Sequence, residues 1–98
     1  MKVTAIITHW NTPELLRKQL TLLKPNKDIE VIVVDNKSDE SVDWIKKDFL
    51  NIILIKNSVN LGYAGGCNSG AKIAKGDWLL FLNPDLTITS DQIIKMVY

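Results

Sequence analysis

The feature that most constrains this chain is a regular alternation of short, apolar, β-branched runs with amphipathic segments. Val3 to Thr8, Ile29 to Val34, Ile52 to Ile55 and Trp78 to Leu82 each read as a strand. The second is apolar on both faces apart from Glu30, the pattern of a strand in a sheet covered on each side. After the first strand, Asn11-Thr12-Pro13-Glu14 opens a helix, with Thr12 as its cap, Pro13 in the first turn and Glu14 at the positive end of the dipole. Leu16, Leu20 and Leu23 then fall on one helical face, and Pro25 follows the end. Val42, Ile45 and Phe49 give a second, short helix its buried stripe. Asn57 to Gly70 leads into a helix of small residues expected to stop at Lys75-Gly76. Thr89 or Ser90 caps a last helix bearing Ile93, Ile94 and Val97.

Strand and helix alternating in this way predict a parallel, doubly wound α/β sheet with right-handed crossovers, in the order β-α-β-α-β-α-β-α. At 98 residues the chain makes one domain. Four strands amount to half of such a sheet, and the last helix reaches Tyr98 after about two turns, where roughly three to four are usual. The expectation is therefore a truncated half-sheet.

Composition narrows the classes of function. With 46% hydrophobic and 23% charged residues the chain is an ordinary folded protein. Its net charge of +1 is spread along the sequence, which speaks against a nucleic-acid binder with a basic stripe. No apolar run approaches the roughly 20 residues that span a bilayer, and the stretch from Met1 to Thr8 is too short for a signal peptide. These features suggest a cytoplasmic protein, and the lone Cys67 agrees, having no partner for an intrachain disulfide. Cys67 reads as a small buried residue in a Gly/Ala-rich helix, with a reactive thiol as the alternative.

In open parallel sheets ligands bind beyond the carboxyl ends of the strands. Those ends carry Thr8-His9-Trp10-Asn11, Asp35-Asn36-Lys37-Ser38, Asn60-Leu61-Gly62-Tyr63-Ala64-Gly65-Gly66-Cys67-Asn68 and Asn83-Pro84-Asp85. Turn chemistry explains part of this. It does not explain a tryptophan in the first loop, nor an acidic group after both the second and fourth strands. Together these have the chemistry for a stacking plane, a base-reading carboxylate and a metal ligand. Spacing rejects two other readings of the glycines. A Walker A loop needs G-x-x-x-x-G-K-[ST], but Ala71 stands between Gly70 and Lys72, and no G-x-G-x-x-G follows the first strand. Gly65, Gly66 and Gly70 then either admit a diphosphate close to the backbone or allow close helix–sheet packing. Both readings stand. His9, the lone histidine, reads as an incidental, exposed loop residue.

The four strand-end segments, taken from Ile6 to Asn11, Val33 to Ser38, Asn60 to Gly70 and Leu80 to Asp85, resemble the family 2 glycosyltransferases of the GT-A fold, especially bacterial rhamnosyltransferase-like members. They occur in that family's order and spacing and cover nearly the whole chain. The resemblance implies that residues 1–98 are the N-terminal nucleotide-sugar-binding portion, with the acceptor-binding portion absent. It places Thr8 and Asn11 beside the nucleotide and Trp10 against the base, where the alternative for Trp10 is a hydrophobic staple on the following helix. Asp35 is implied as the acceptor for the base imide N–H, with a turn-forming role as the alternative. Asn60, Gly62 and Asn68 frame the nucleotide and sugar, or serve as turn and cap residues.

Asn83-Pro84-Asp85 stands where the family has its D-x-D motif, which implies Mg²⁺ or Mn²⁺ held by Asp85 and places Asn83, in the position of the first acid, with the nucleotide-binding residues. The family often has an aspartate one residue beyond Asp39. Glu40 stands there, and neither residue is assigned a role. The implied activity is inverting transfer of a sugar from a UDP or dTDP donor, rhamnose at family level, to a saccharide acceptor in polysaccharide biosynthesis at the inner membrane surface. The catalytic base of such enzymes follows the present segment, and Asp91 is a helix-cap residue rather than a substitute. A free-standing nucleotide-binding module remains the alternative. A receiver-like signalling domain fails, since His9-Trp10 and Lys56-Asn57 stand where its acidic residues belong.

Overall fold

Two strands are buried along their whole length, and what covers them determines the rest. A computed structural model describes residues 2–97. Met1, which opens the first apolar stretch, and Tyr98, where the last helix was expected to stop, lie outside the described residues. β1 (Val3–His9) and β2 (Ile29–Asp35) pair in parallel from Val3 opposite Ile29 to His9 opposite Asp35, and every residue of both is buried. β3 (Ile53–Lys56) joins the outer side of β2, and β4 (Trp78–Leu82) joins the free side of β1. The order is β3-β2-β1-β4, all parallel. The expected fold class is the observed one, a four-stranded parallel α/β sheet.

Side chains alternate between the two faces of a strand, which divides the core. On one face Val3, Ala5 and Ile7 of β1 and Val31 and Val33 of β2 meet α1 (Pro13–Leu22), α2 (Trp44–Asp48) and α4 (Ser90–Val97). Leu16, Leu20 and Leu23 line up as expected and are fully buried, with Ile45 and Ile93 beside them. On the other face Ile6, Ile32 and Val34 meet α3 (Gly62–Ala71) and the segment just after it. Helix and sheet come very close there. A Cβ added at Gly70 would lie 2.6 Å from Ile6 Cγ2, and one at Gly66 would lie 2.4 Å from Thr8 Cγ2. For these two glycines the packing reading is the one the structure bears out.

Buried polar side chains fasten the connections. Glu30 Oε1 accepts from the Thr4 hydroxyl at 2.8 Å and from the Lys75 N–H at 2.9 Å, which ties the α3–β4 loop to the start of the sheet. Gln19, wholly buried on α1, clasps the backbone of Ile88 in both directions, at 2.9 and 3.1 Å. Ser90 bonds both the N–H and the carbonyl of Lys24, each at 2.8 Å. The segment after β4 is thus anchored to α1.

Four local expectations change. Thr12 precedes α1 but makes no side-chain cap, and its own N–H is bound by His9 instead. β3 sits one residue later than Ile52 to Ile55, because its ladder runs on until Lys56 faces Asp35. α2 is a single short turn, with Val42 before it and Phe49 after it. α3 ends at Ala71 rather than at Lys75-Gly76, since Gly76 is drawn to Thr4, whose Oγ1 accepts its N–H at 2.9 Å. Of the two candidate caps on α4, Thr89 takes the role. Its Oγ1 accepts the Gln92 N–H and Gln92 Oε1 accepts the Thr89 N–H, a reciprocal capping box.

Gly70→Ala tests the close approach of α3. Alanine favours a helix by about 1 kcal/mol over glycine, whereas overpacking costs about 1–3 kcal/mol. Denaturant unfolding should show a net loss of stability, and a gain would mean that α3 has room to move off the sheet.

Candidate functional site

Because β1 and β2 are in register, His9 and Asp35 end their strands side by side and leave the sheet on the α1 face. His9 Nδ1 lies 2.8 Å from Asp35 Oδ1, and both residues are buried. This overturns the expectation of an exposed, incidental histidine: His9 is the last residue of β1 and is 1% exposed. Its Nε2 accepts the backbone N–H of Thr12 at 3.1 Å. A backbone amide only donates, so Nε2 is unprotonated and the Nδ1–H donates to Asp35.

Ser38 completes the group. Its hydroxyl donates to Asp35 Oδ1 at 2.6 Å and accepts the Asn11 N–H at 2.9 Å, and its own N–H reaches Asp35 Oδ2 at 3.0 Å. The Asn11 side chain then pairs with the next residue along, accepting the Asp39 N–H at 2.8 Å and donating to Asp39 Oδ2 at 3.3 Å. Asn11 and Lys37 take left-handed backbone angles, φ 55° and 67°, to bring the two loops together. The turn-forming role considered for Asp35 is therefore present. The carboxylate is nonetheless incompletely used. Of its four acceptor positions, two on Oδ1 and one on Oδ2 are filled, and one on Oδ2 is left. Two adjoining cavities open here, either side of the Ser38–Val42 loop. One of 410 Å³ is lined by His9, Asn11 and Glu14. The other, of 230 Å³, is lined by Asp35, Lys37 and Asn57.

The remaining residues implied by sequence sit around this centre. Trp10 follows His9 and is 53% exposed, more than a staple packed on α1 would leave. Thr8 points to the opposite face, buried beneath α3 with its Oγ1 3.8 Å from the buried Cys67 sulfur. Asn60 Oδ1 accepts the Gly62 N–H at 2.8 Å, and Gly62 adopts φ 74°. Asn68 is exposed on α3. Asn83 and Asp85 are both exposed on a turn closed by the Leu86 N–H to the Asn83 carbonyl at 3.1 Å. The structure thus gathers Asn11 and Asp35 with His9, Ser38 and Asp39. It sets Thr8 and Gly62 on the α3 side and Asn83 and Asp85 on their own turn after β4.

Sequence reasoning missed Asn36. Its amide, 2% exposed, donates to the Gly62 carbonyl at 2.9 Å and accepts from Asn57 Nδ2 at 2.9 Å and from the Leu61 N–H at 3.4 Å. It joins the ends of β2 and β3 to the start of α3. The available signal was an amide directly after a buried strand, where strand alternation points it to the face opposite Asp35.

The strands reverse direction of growth at β1, since the chain steps outward to β2 and β3 and returns to lay β4 on the free side of β1. Fold and site together define an open parallel α/β domain of the ligand-binding type, with its polar groups at the carboxyl edge around that switch. Residues 4–98 match the family described as glycosyl transferase family 2, and the chain belongs to that family. Poly(ribitol-phosphate) beta-glucosyltransferase of Bacillus spizizenii is 36% identical over 104 residues, covering 97% of this chain and 16% of the relative. The Escherichia coli protein named UDP-Glc:alpha-D-GlcNAc-diphosphoundecaprenol beta-1,3-glucosyltransferase WfaP is 37% identical over 87 residues, 85% of this chain and 35% of that one. S. aureus TarS 1–349 in complex with UDP shares the fold, with a TM-score of 0.85 and 24% identity over 98% of this chain and 31% of that chain. This chain therefore spans between about a sixth and about a third of the length of these proteins. Among the described residues no helix is long and apolar enough to cross a membrane.

Asn36→Ala tests how the site is framed. Removing the amide leaves the Gly62 carbonyl and the Asn57 side chain without this partner, a loss of about 1–3 kcal/mol. Amide exchange at Leu61 and Gly62 should quicken more than global unfolding predicts. Exchange that rises evenly over the chain would contradict a local framing role.

Proposed function

We propose that this chain is the donor-binding part of an inverting glycosyltransferase that uses a UDP-linked hexose, glucose before rhamnose. The observation that carries this is the Asp35 carboxylate, held rigidly at the end of a buried strand with one acceptor position to spare beside a cavity. A uracil or thymine imide presents an N–H to such an acceptor, whereas cytosine presents a lone pair and is repelled. Trp10, the exposed residue that follows His9, offers a face on which a base can stack. The preference for UDP and glucose rests on the printed names of the relatives and on the UDP complex of a structural neighbour. Thr8 and Asn11 then flank the nucleotide, while Asn60, Gly62, Asn68 and Asn83 frame the diphosphate and sugar.

Among the described residues no three His, Cys, Asp or Glu side chains are grouped to hold a metal. Asp85 and the amide oxygen of Asn83, both exposed on one turn, fit an ion that takes the rest of its ligands from substrate phosphates, as Mg²⁺ and Mn²⁺ do. Bound there, the ion would neutralise charge on the departing diphosphate. In the reaction an acceptor hydroxyl, deprotonated by a carboxylate, attacks the anomeric carbon, and the bond to the diphosphate oxygen breaks with inversion. That carboxylate and the saccharide acceptor site belong, in this proposal, to the part of the longer family members that this chain does not span. The pathway would be cell-surface polysaccharide synthesis.

Binding of UDP by the chain alone should be weak, roughly −4 to −6 kcal/mol, and CDP should bind more weakly still. Calorimetry with two variants separates the roles. Asp35→Asn should weaken uridine and UDP alike, by about 1–3 kcal/mol if the bond to the base is charge-assisted. Asp85→Asn should leave uridine unchanged and remove any gain that Mn²⁺ gives to UDP. Equal loss of both ligands in both variants would overturn this division, and no binding at millimolar UDP would overturn the function.

A further inference from the structure

The hydrogen bond between His9 and Asp35 is doubly determined. The Thr12 N–H requires an acceptor at Nε2, which forces the hydrogen onto Nδ1, and Nδ1 faces Asp35 Oδ1 at 2.8 Å. Ser38 Oγ–H holds the same oxygen at 2.6 Å, so Oδ1 is fully engaged. Oδ2 receives the Ser38 N–H alone. Two elements thus converge on one carboxylate, and the asymmetry they create decides which oxygen remains for a ligand.

We propose that His9 is a positioning residue for base recognition: as its Nδ1–H tautomer it occupies Oδ1 of Asp35 and turns Oδ2 to the imide N–H of a uracil base. This rests on the reading of Asp35 as the base acceptor and adds the group that sets its geometry. Without the Nδ1–H, the carboxylate has an unfilled acceptor on each oxygen and only Ser38 to hold it about its χ2 bond, which is soft for aspartate. Discrimination for the imide then falls, because a base donor is no longer met by one aimed lone pair. The Thr12 bond gives the device a second anchor, fixing the ring to the start of α1 rather than to the sheet alone.

The test uses the 98-residue chain with uridine, UDP and inorganic pyrophosphate as probes. His9→Val removes the donor. His9→Asn keeps an amide N–H at the branch point where Nδ1 stands. Affinity for uridine should fall about tenfold or more in His9→Val, the loss expected for a hydrogen bond to a charged group. It should recover to within about threefold of the parent in His9→Asn. Independently of variant folding, nitrogen NMR of the parent should show a neutral imidazole protonated at Nδ1. That signal should move on adding uridine and stay put on adding pyrophosphate. An Nε2–H tautomer, an Nδ1 signal indifferent to uridine, or a folded His9→Val that binds uridine as the parent does would overturn the proposal. Asp35→Asn distinguishes the two levels. If it loses uridine while His9→Val does not, only the role of His9 falls. If neither loses uridine, the reading of Asp35 falls with it.

Discussion

Burial of β1 and β2 on both faces is the constraint from which the rest of the molecule follows. All fourteen of their residues are buried, seven on each strand. Strands so enclosed must carry helices on both sides, and parallel pairing then brings all their carboxyl ends to one edge. Side chains at that edge inherit the precision of the ladder. His9 meets Asp35 because the six residue pairs before them are already aligned, which a pair of facing loops could not guarantee. Their bond is thus the top rung of the packed sheet as well as a feature of the site.

The loops around the edge are held by side chains bonding to backbone. Asn36 reaches the Gly62 carbonyl, Gln19 clasps Ile88, and Ser38 gathers Asn11 and Asp35. Among the described residues no buried side-chain nitrogen or oxygen lacks a partner. Such satisfied networks preorganise a site, since few groups must reorder when a ligand arrives. Of the residues that the proposed function assigns to the ligand, Trp10, Asn60, Gly62, Asn68, Asn83 and Asp85 are exposed. On the α3 side Leu79 and Phe81 of β4 also remain exposed, where α3 covers β1 and β2.

Much of the fold was legible because periodicity reports burial directly. Val3 to Thr8 and Ile29 to Val34 could only be enclosed strands, and Leu16, Leu20 and Leu23 could only be one helical face. Errors arose where a distant partner outranked a local signal. Gly76 looks like a helix stop but serves the contact with Thr4, and Thr12 looks like a cap but gives its N–H to His9. The site was legible as a set of strand ends rather than as contacts. Asp35 and Asn11 were singled out, yet the pairing of His9 with Asp35 needed the strand order and register, which no local pattern contains. Asn36 was passed over for the same reason, since its partners lie 21 to 26 residues away.

The central claim is that a pyrimidine base sits at the carboxyl edge of β1 and β2 with its imide on Asp35. The most direct measurement is an NMR study of the chain with uridine labelled at its imide nitrogen. The account predicts an imide proton shifted downfield and protected from exchange, with cross-peaks to Ser38 and the Trp10 indole. Cross-peaks instead to Leu86 and Met96, which line the cavity beside α4, or an imide that exchanges as in free uridine, would contradict it.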